Sequence, residues 1–217
     1  MEKNSDSIQI LQEIMLELRG LALERAASVS DIVHEALGEY LLSRTNGVNL
    51  FDVIHSIENA MNKSDQFVTN SDPAGLAIFI KSPIHYVYRP EIKYEVRIVR
   101  NGKVSIGKLG VALRSHDMET IQLFSGFVSL WIELERKYLL GNRAEQIAYI
   151  TDAGYFGRQI YYPETDEHSD GQSIGDAISS YIRVFDELLK HYVNYRDNGH
   201  EIEKLYRAQL NDGKLTI

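Results

Sequence analysis

The chain has 217 residues, is 44 % hydrophobic and carries 31 acidic against 23 basic side chains, a net charge of −8. That length and composition provide for a substantial core in one or two domains. The absence of cysteine excludes disulfides, thiolate metal sites and a cysteine nucleophile.

The charge is unevenly spread. Residues 1–62 hold four basic and ten acidic side chains, a net of −6, and the remainder nets only −2. The opening Met1–Asp6 is polar and leads into amphipathic sequence, and no apolar run approaches about 18 residues. Neither a secretory signal nor a membrane span is expected, and a cytoplasmic location is.

From Gln12 to Ala26, Ile14, Leu18, Leu21 and Ala22 recur at helical spacing, widened by Leu11 and Met15. Ser30 is the expected cap of a second helix that places Ile32, Val33, Ala36, Leu37, Tyr40 and Leu41 on one face. Asp31 falls in its first turn, where a negative charge suits the helix dipole. Asn46-Gly47 closes it, and a third helix is expected from Leu50 to Met61. Residues 63–75 are dense in turn formers and read as a linker between a lobe at 1–62 and a domain at 76–217.

Beyond the linker, Leu76–Lys81, Ile84–Arg89, Ile92–Arg100 and Lys103–Leu113 are rich in β-formers. A two-residue hairpin turn is expected at Asn101-Gly102. Strand 92–100 alternates, with Tyr94, Val96 and Ile98 on one side and Lys93, Glu95 and Arg97 on the other. One face of the sheet should therefore meet a core and the other water. A long helix follows at about Met118–Leu140. Residues Ala144–Ile150 fit either helix or strand, Gln159–Tyr162 suggests a short strand, and Glu164–Ser173 an acidic loop. Helices then span Ile174–Tyr195 and Glu201–Leu210. The expected fold is α+β: an N-terminal helical lobe, then an antiparallel sheet packed with long helices.

Two features of the lobe belong together: Leu21-Ala22-Leu23-Glu24-Arg25 at the end of the first helix, and Ser28-Val29-Ser30-Asp31 at the start of the second. Over residues 5–44 this pattern resembles the ribbon-helix-helix fold of the Arc and MetJ repressors. The resemblance implies a homodimer in which residues 5–10 pair across the two-fold axis as a ribbon in the major groove. Ser5, Ser7 and Gln9 would then face the bases, while Ser28 and Ser30 would hold a DNA phosphate at a helix N-terminus. The ribbon carries no Arg or Lys. The same residues also allow a single helix from Ser7 to Arg25 capped by Ser5 or Asp6, which makes the lobe a dimerisation or partner-binding module.

Cations concentrate elsewhere. Lys81, Arg89, Lys93, Arg97, Arg100, Lys103 and Lys108 stand against Glu91 and Glu95, with Tyr86, Tyr88 and Tyr94 interleaved. This reads as the solvated face of a sheet, as a single-strand nucleic-acid surface, or as an anionic-ligand patch on Lys93, Arg97 and Arg100. Seven scattered histidines form no metal-spaced pair. His116, Asp117 and Glu119 fit a helix start as well as a ligand set. Asp166–Gly171 resembles a calcium loop but has Ala177 where the closing glutamate belongs. Tyr149, Tyr155, Tyr161, Tyr162, Tyr181 and Tyr192 would suit a ligand cavity or an ordinary core.

No phosphate-binding glycine motif or nucleophile elbow occurs, so no enzyme activity, cofactor or metal is expected. The expected function is transcription regulation by a dimeric DNA-binding protein with a C-terminal sensing domain. The alternative is an oligomerisation or partner-binding protein with an α+β ligand-binding domain. Expected partners are a second copy of the chain, double-stranded DNA and a small-molecule effector, without a membrane.

Overall fold

One-sided alternation along residues 91–101 makes a half-buried strand the stable outcome, and the computed structural model builds the molecule around it. Residues 12–43, 50–72, 76–84, 90–101, 105–139, 147–161, 170–195 and 199–215 are described. Helices α1 (Gln12–Glu24), α2 (Val29–Ser43) and α3 (Leu50–Met61) lead into strands β1 (Val68–Ser71), β2 (Ala77–Pro83), β3 (Glu91–Asn101) and β4 (Ser105–Arg114). Helix α4 (Met118–Leu134) runs into a π-helical turn (Glu135–Leu139). Strands β5 (Tyr149–Asp152) and β6 (Tyr155–Tyr161) and helices α5 (Gly171–Tyr195) and α6 (His200–Asn211) complete the chain. The fold is α+β. No described helix is long and apolar enough to cross a membrane.

The strands form one antiparallel sheet in the order β1-β2-β3-β4-β6-β5. Register lines up the buried row Ile80, Tyr94, Val111 and Phe156, and beside it the row Ile78, Val96, Leu109, Arg158 and Tyr149. The expected inward set on β3 holds: Tyr94, Val96 and Ile98 are all buried, and Ile92 is buried with them. The hairpin differs from expectation. Asn101 pairs with Ser105, so residues 102–104 make the connection instead of a two-residue turn at Asn101-Gly102. The register also shifts between Ile98 and Asn101, a bulge that sets two residues of β3 against one of β4. Of the strand expected at Ile84–Arg89, Ile84 lies outside any strand and 85–89 lie outside the described residues.

Helices cover the inward face. Phe124, Phe127, Val128 and Trp131 of α4 meet Tyr181 and Phe185 of α5, and Tyr206 of α6 joins them. Trp131 has four aromatic neighbours, Phe127, Tyr181, Phe185 and Tyr206, with ring centroids 4.9–5.8 Å away. Phe185 stacks on Phe156 of the sheet at 5.5 Å.

Helix α3 belongs to this body, not to the lobe at 1–62. Its buried face of Val53, Ile54, Ile57 and Met61 is covered by α5, β1 and β2. Gly175 permits the approach of α5: a Cβ there would lie 2.5 Å from Ser56 Cβ and 2.6 Å from the Val53 carbonyl oxygen. Ser56 Oγ seals the crossing by donating to the Gln172 carbonyl at 3.1 Å and to Asp176 at 2.9 Å. The segment read as a linker, 63–75, contains the edge strand β1. Helices α1 and α2 make their main contacts with each other.

Candidate functional site

Three regions carry the residues with functional character. The first is the α1–α2 hairpin. The chain reverses at Ala26, whose φ of 51° is left-handed, and Arg25 clasps Glu35 across the turn with two hydrogen bonds of 3.0 Å. The cap of α2 is Ser28, not Ser30. Ser28 Oγ accepts from the Asp31 N–H at 3.2 Å, while the Asp31 carboxylate accepts from the Ser28 N–H at 2.9 Å and the Ser28 hydroxyl at 2.7 Å. Ser28 wins because Asp31 stands three residues after it, which closes a reciprocal capping box. Ser30 is left exposed in the first helical turn. The expected base-contact residues Ser5, Ser7 and Gln9 lie outside the described residues.

The Ser28 hydroxyl, and then its backbone N–H, hold the Asp31 carboxyl below the usual carboxylate range. A folded pKa below the unfolded one stabilises the hairpin above the ordinary carboxylate range, and that contribution is lost as pH falls through the lowered value. Circular dichroism of the full chain should therefore show a helical component lost on acidification. In Asp31→Asn that component should be smaller at neutral pH and insensitive to acid. An unchanged acid profile in the variant would refute this role.

The second region is the outer face of the sheet, where Lys93 and Arg97 stand next but one on β3. Arg97 is occupied by Glu95 at 2.7 Å, Lys81 pairs with Glu91 at 3.7 Å, and Lys93 lies 4.2 Å above the ring of Phe79. The Arg100 side chain lies outside the described residues. Lys93 and Arg97 thus share a face, but each already has a partner.

The third region is interior. Arg158 of β6 occupies an inward sheet position at 2 % exposure and meets Glu135, at 0 %, where α4 widens into the π-turn. Its Nε lies 3.0 Å from Glu135 Oε1 and donates to Oε2 at 3.3 Å, and the Tyr149 hydroxyl donates to Oε2 at 2.8 Å. The guanidinium sits 4.9 Å from the centre of the Tyr181 ring, whose hydroxyl accepts from Trp131 Nε1 at 2.7 Å. Burial first, and then the Glu135 charge, push the hydroxyls of Tyr149, Tyr181 and Tyr206 well above the ordinary tyrosine range. Tyr206 Oη is buried without a hydrogen-bond partner among the described residues.

No family model, curated protein or solved structure matches the chain. The assignment of roles therefore rests on the geometry.

A second buried network faces the opposite part of the sheet. Asp186 of α5 accepts from the Tyr94 hydroxyl at 2.8 Å and pairs with Lys190 at 2.7 Å, and Lys190 donates to Ser82 at 2.6 Å. Burial, then the Asp186 charge, raise the Tyr94 hydroxyl. These two networks pin α4 and α5 to the sheet. Sequence reading missed both because their partners lie far apart in the chain.

The expected tyrosines therefore divide. Tyr149 and Tyr181 join the Glu135 centre, Tyr155 lies on the outer face across Gly110 and Gly157, and Tyr162 lies outside the described residues. Asp117 caps α4 by accepting from the Thr120 N–H at 2.8 Å, so the His116-Asp117 pair serves a helix start. No described cluster of His, Asp or Glu is arranged to hold a metal ion.

Proposed function

We propose that the chain is a cytoplasmic binding protein that self-associates through its α1–α2 hairpin and carries a ligand-binding α+β body. One observation carries this reading. Ten large apolar side chains are exposed among the described residues, and five of them, Ile14, Leu16, Leu21, Leu23 and Leu37, lie on these two short helices. A helical pair that leaves so much apolar surface open has its natural cover in another chain. A symmetric dimer is the commonest form of such cover.

A second reading, transcription regulation through a ribbon-helix-helix dimer on DNA, draws on the tight turn and capped second helix. Charge weighs against it. Residues 1–44, with four basic and eight acidic side chains, net −4, and the Asp31 carboxylate already takes the Ser28 donors that a phosphate would use. DNA affinity depends largely on cations that release phosphate counterions.

Light scattering coupled to size exclusion separates the readings. The full chain should elute as a dimer and Leu21→Glu as a monomer with unchanged body spectra. A monomeric parent at tens of micromolar concentration would overturn self-association. A low-salt gel shift with promoter DNA, lost in Leu21→Glu, would decide for the regulator.

A further inference from the structure

A cleft of about 680 Å³ runs along α5, walled by the connection from α3 to β1 on one side and by the end of α6 on the other. Its size is that of a small-molecule site. Three cations, Arg183, Lys190 and Lys214, and three carboxylates, Asp176, Asp186 and Glu187, line it.

Most of these charges are already answered. Lys190 is held by Asp186 and Ser82, Lys214 by Asp212 at 3.3 Å and Gln209 at 2.8 Å, and Asp176 accepts from Ser56. Two remain. Arg183 donates to the Ala60 carbonyl near the end of α3 and stacks 5.5 Å from the Phe67 ring, with no carboxylate partner among the described residues. Glu187 stands one turn further along α5, exposed and without a cationic partner among the described residues. An i,i+4 pair of opposite charge ordinarily closes on itself. Here the Ala60 carbonyl and the Phe67 ring hold the guanidinium away from Glu187, so a cation and an anion face the same cleft about 6 Å apart along the helix axis.

We propose that this cleft binds a zwitterionic amino-carboxylate of amino-acid size, its carboxylate on Arg183 and its ammonium on Glu187. A guanidinium uses one donor on Ala60 and keeps others for a carboxylate fork. A phosphate-bearing polyanion is disfavoured by the carboxylates that line the same walls. An uncharged ligand would leave both unmatched charges uncompensated. The remaining volume takes the ligand's side chain, against Phe67. This inference rests on reading the body as a ligand-binding unit and does not require the hairpin to dimerise.

The test is thermal unfolding and calorimetric titration of the full chain with each of the common amino acids and with inorganic phosphate. At least one amino acid should raise Tm by about 5 °C or more at a hundredfold excess over its Kd. Its decarboxylated amine and its deaminated acid should each bind about tenfold more weakly or worse. Arg183→Lys, which removes the planar fork, and Glu187→Gln should have the same effect. Because Arg183 also ties down α3, Glu187→Gln on the open rim keeps the test valid if the arginine variant unfolds. No shift with any amino acid, binding of phosphate instead, or undiminished affinity in Glu187→Gln would overturn the proposal. A monomeric chain that still binds the amino acid would remove only the self-association reading.

Discussion

Arg158→Met alone is expected to destabilise the protein by about 3–5 kcal/mol, a large part of the stability of an ordinary domain. The loss comes less from the attraction removed than from what is left behind. Glu135 has no exposure to water, and without the guanidinium its carboxylate is left with neutral donors such as the Tyr149 hydroxyl and with no cation to answer its charge. An isolated buried charge of this kind cannot be solvated by its surroundings. Pairing the change with Glu135→Leu should recover most of the loss, since an apolar pair of similar volume often matches or exceeds a buried ion pair. Urea midpoints for the two single variants and the double variant give the coupling directly. Equal loss in the double variant and in Arg158→Met would mean that packing, not charge, dominates the site.

Trp131→Ala should cost about 3–5 kcal/mol. The indole is the meeting point of all the helices that face the sheet centre, with Phe127, Tyr181, Phe185 and Tyr206 around it. Its removal also takes the donor from the buried Tyr181 hydroxyl. Trp131→Phe separates the two contributions: it keeps much of the ring packing and loses the N–H, at a cost of about 1–3 kcal/mol. Trp131 is the one tryptophan of the chain, so unfolding of the variants is followed by circular dichroism. The parent's emission should be blue-shifted and should move red in the same transition. A cost below about 1 kcal/mol for the alanine variant would show that α4 and α6 close the gap.

The parts legible in sequence were those whose pattern is local. Strand β3 alternates because one face alone is buried, and α3, α4, α5 and α6 show helical spacing for the same reason. Strand β6 was half hidden. Its inward positions are Phe156, Arg158 and Ile160, and the arginine breaks the alternation that would have marked the whole of Tyr155–Tyr161. Strand β1 was missed because Val68-Thr69-Asn70-Ser71 lies among turn formers and is held by pairing with β2, a contact made by another segment. The cap at Ser28 was readable, since an acidic residue stands three positions later, but Ser30 satisfied the simpler pattern. For the cleft along α5, the i,i+4 spacing of Arg183 and Glu187 carries no signal in sequence that sets it apart from an ordinary surface pair. Only the position of Ala60 and Phe67, brought in by α3, shows why they stay apart.

The π-turn at Glu135–Leu139 sets a count as well as a shape. Its i→i+5 bonding accommodates one residue more than an α-helical turn. Within it Glu135 reaches back to the sheet, while Lys137 and Tyr138 reach Glu203 on α6 at 2.7 Å and 2.5 Å. Two walls of the interior are therefore addressed from a single turn, in opposite directions. Deleting one residue there would restore regular winding and put the two addresses out of phase. The length of this short segment is thus as much a part of the protein's specification as the identity of its side chains.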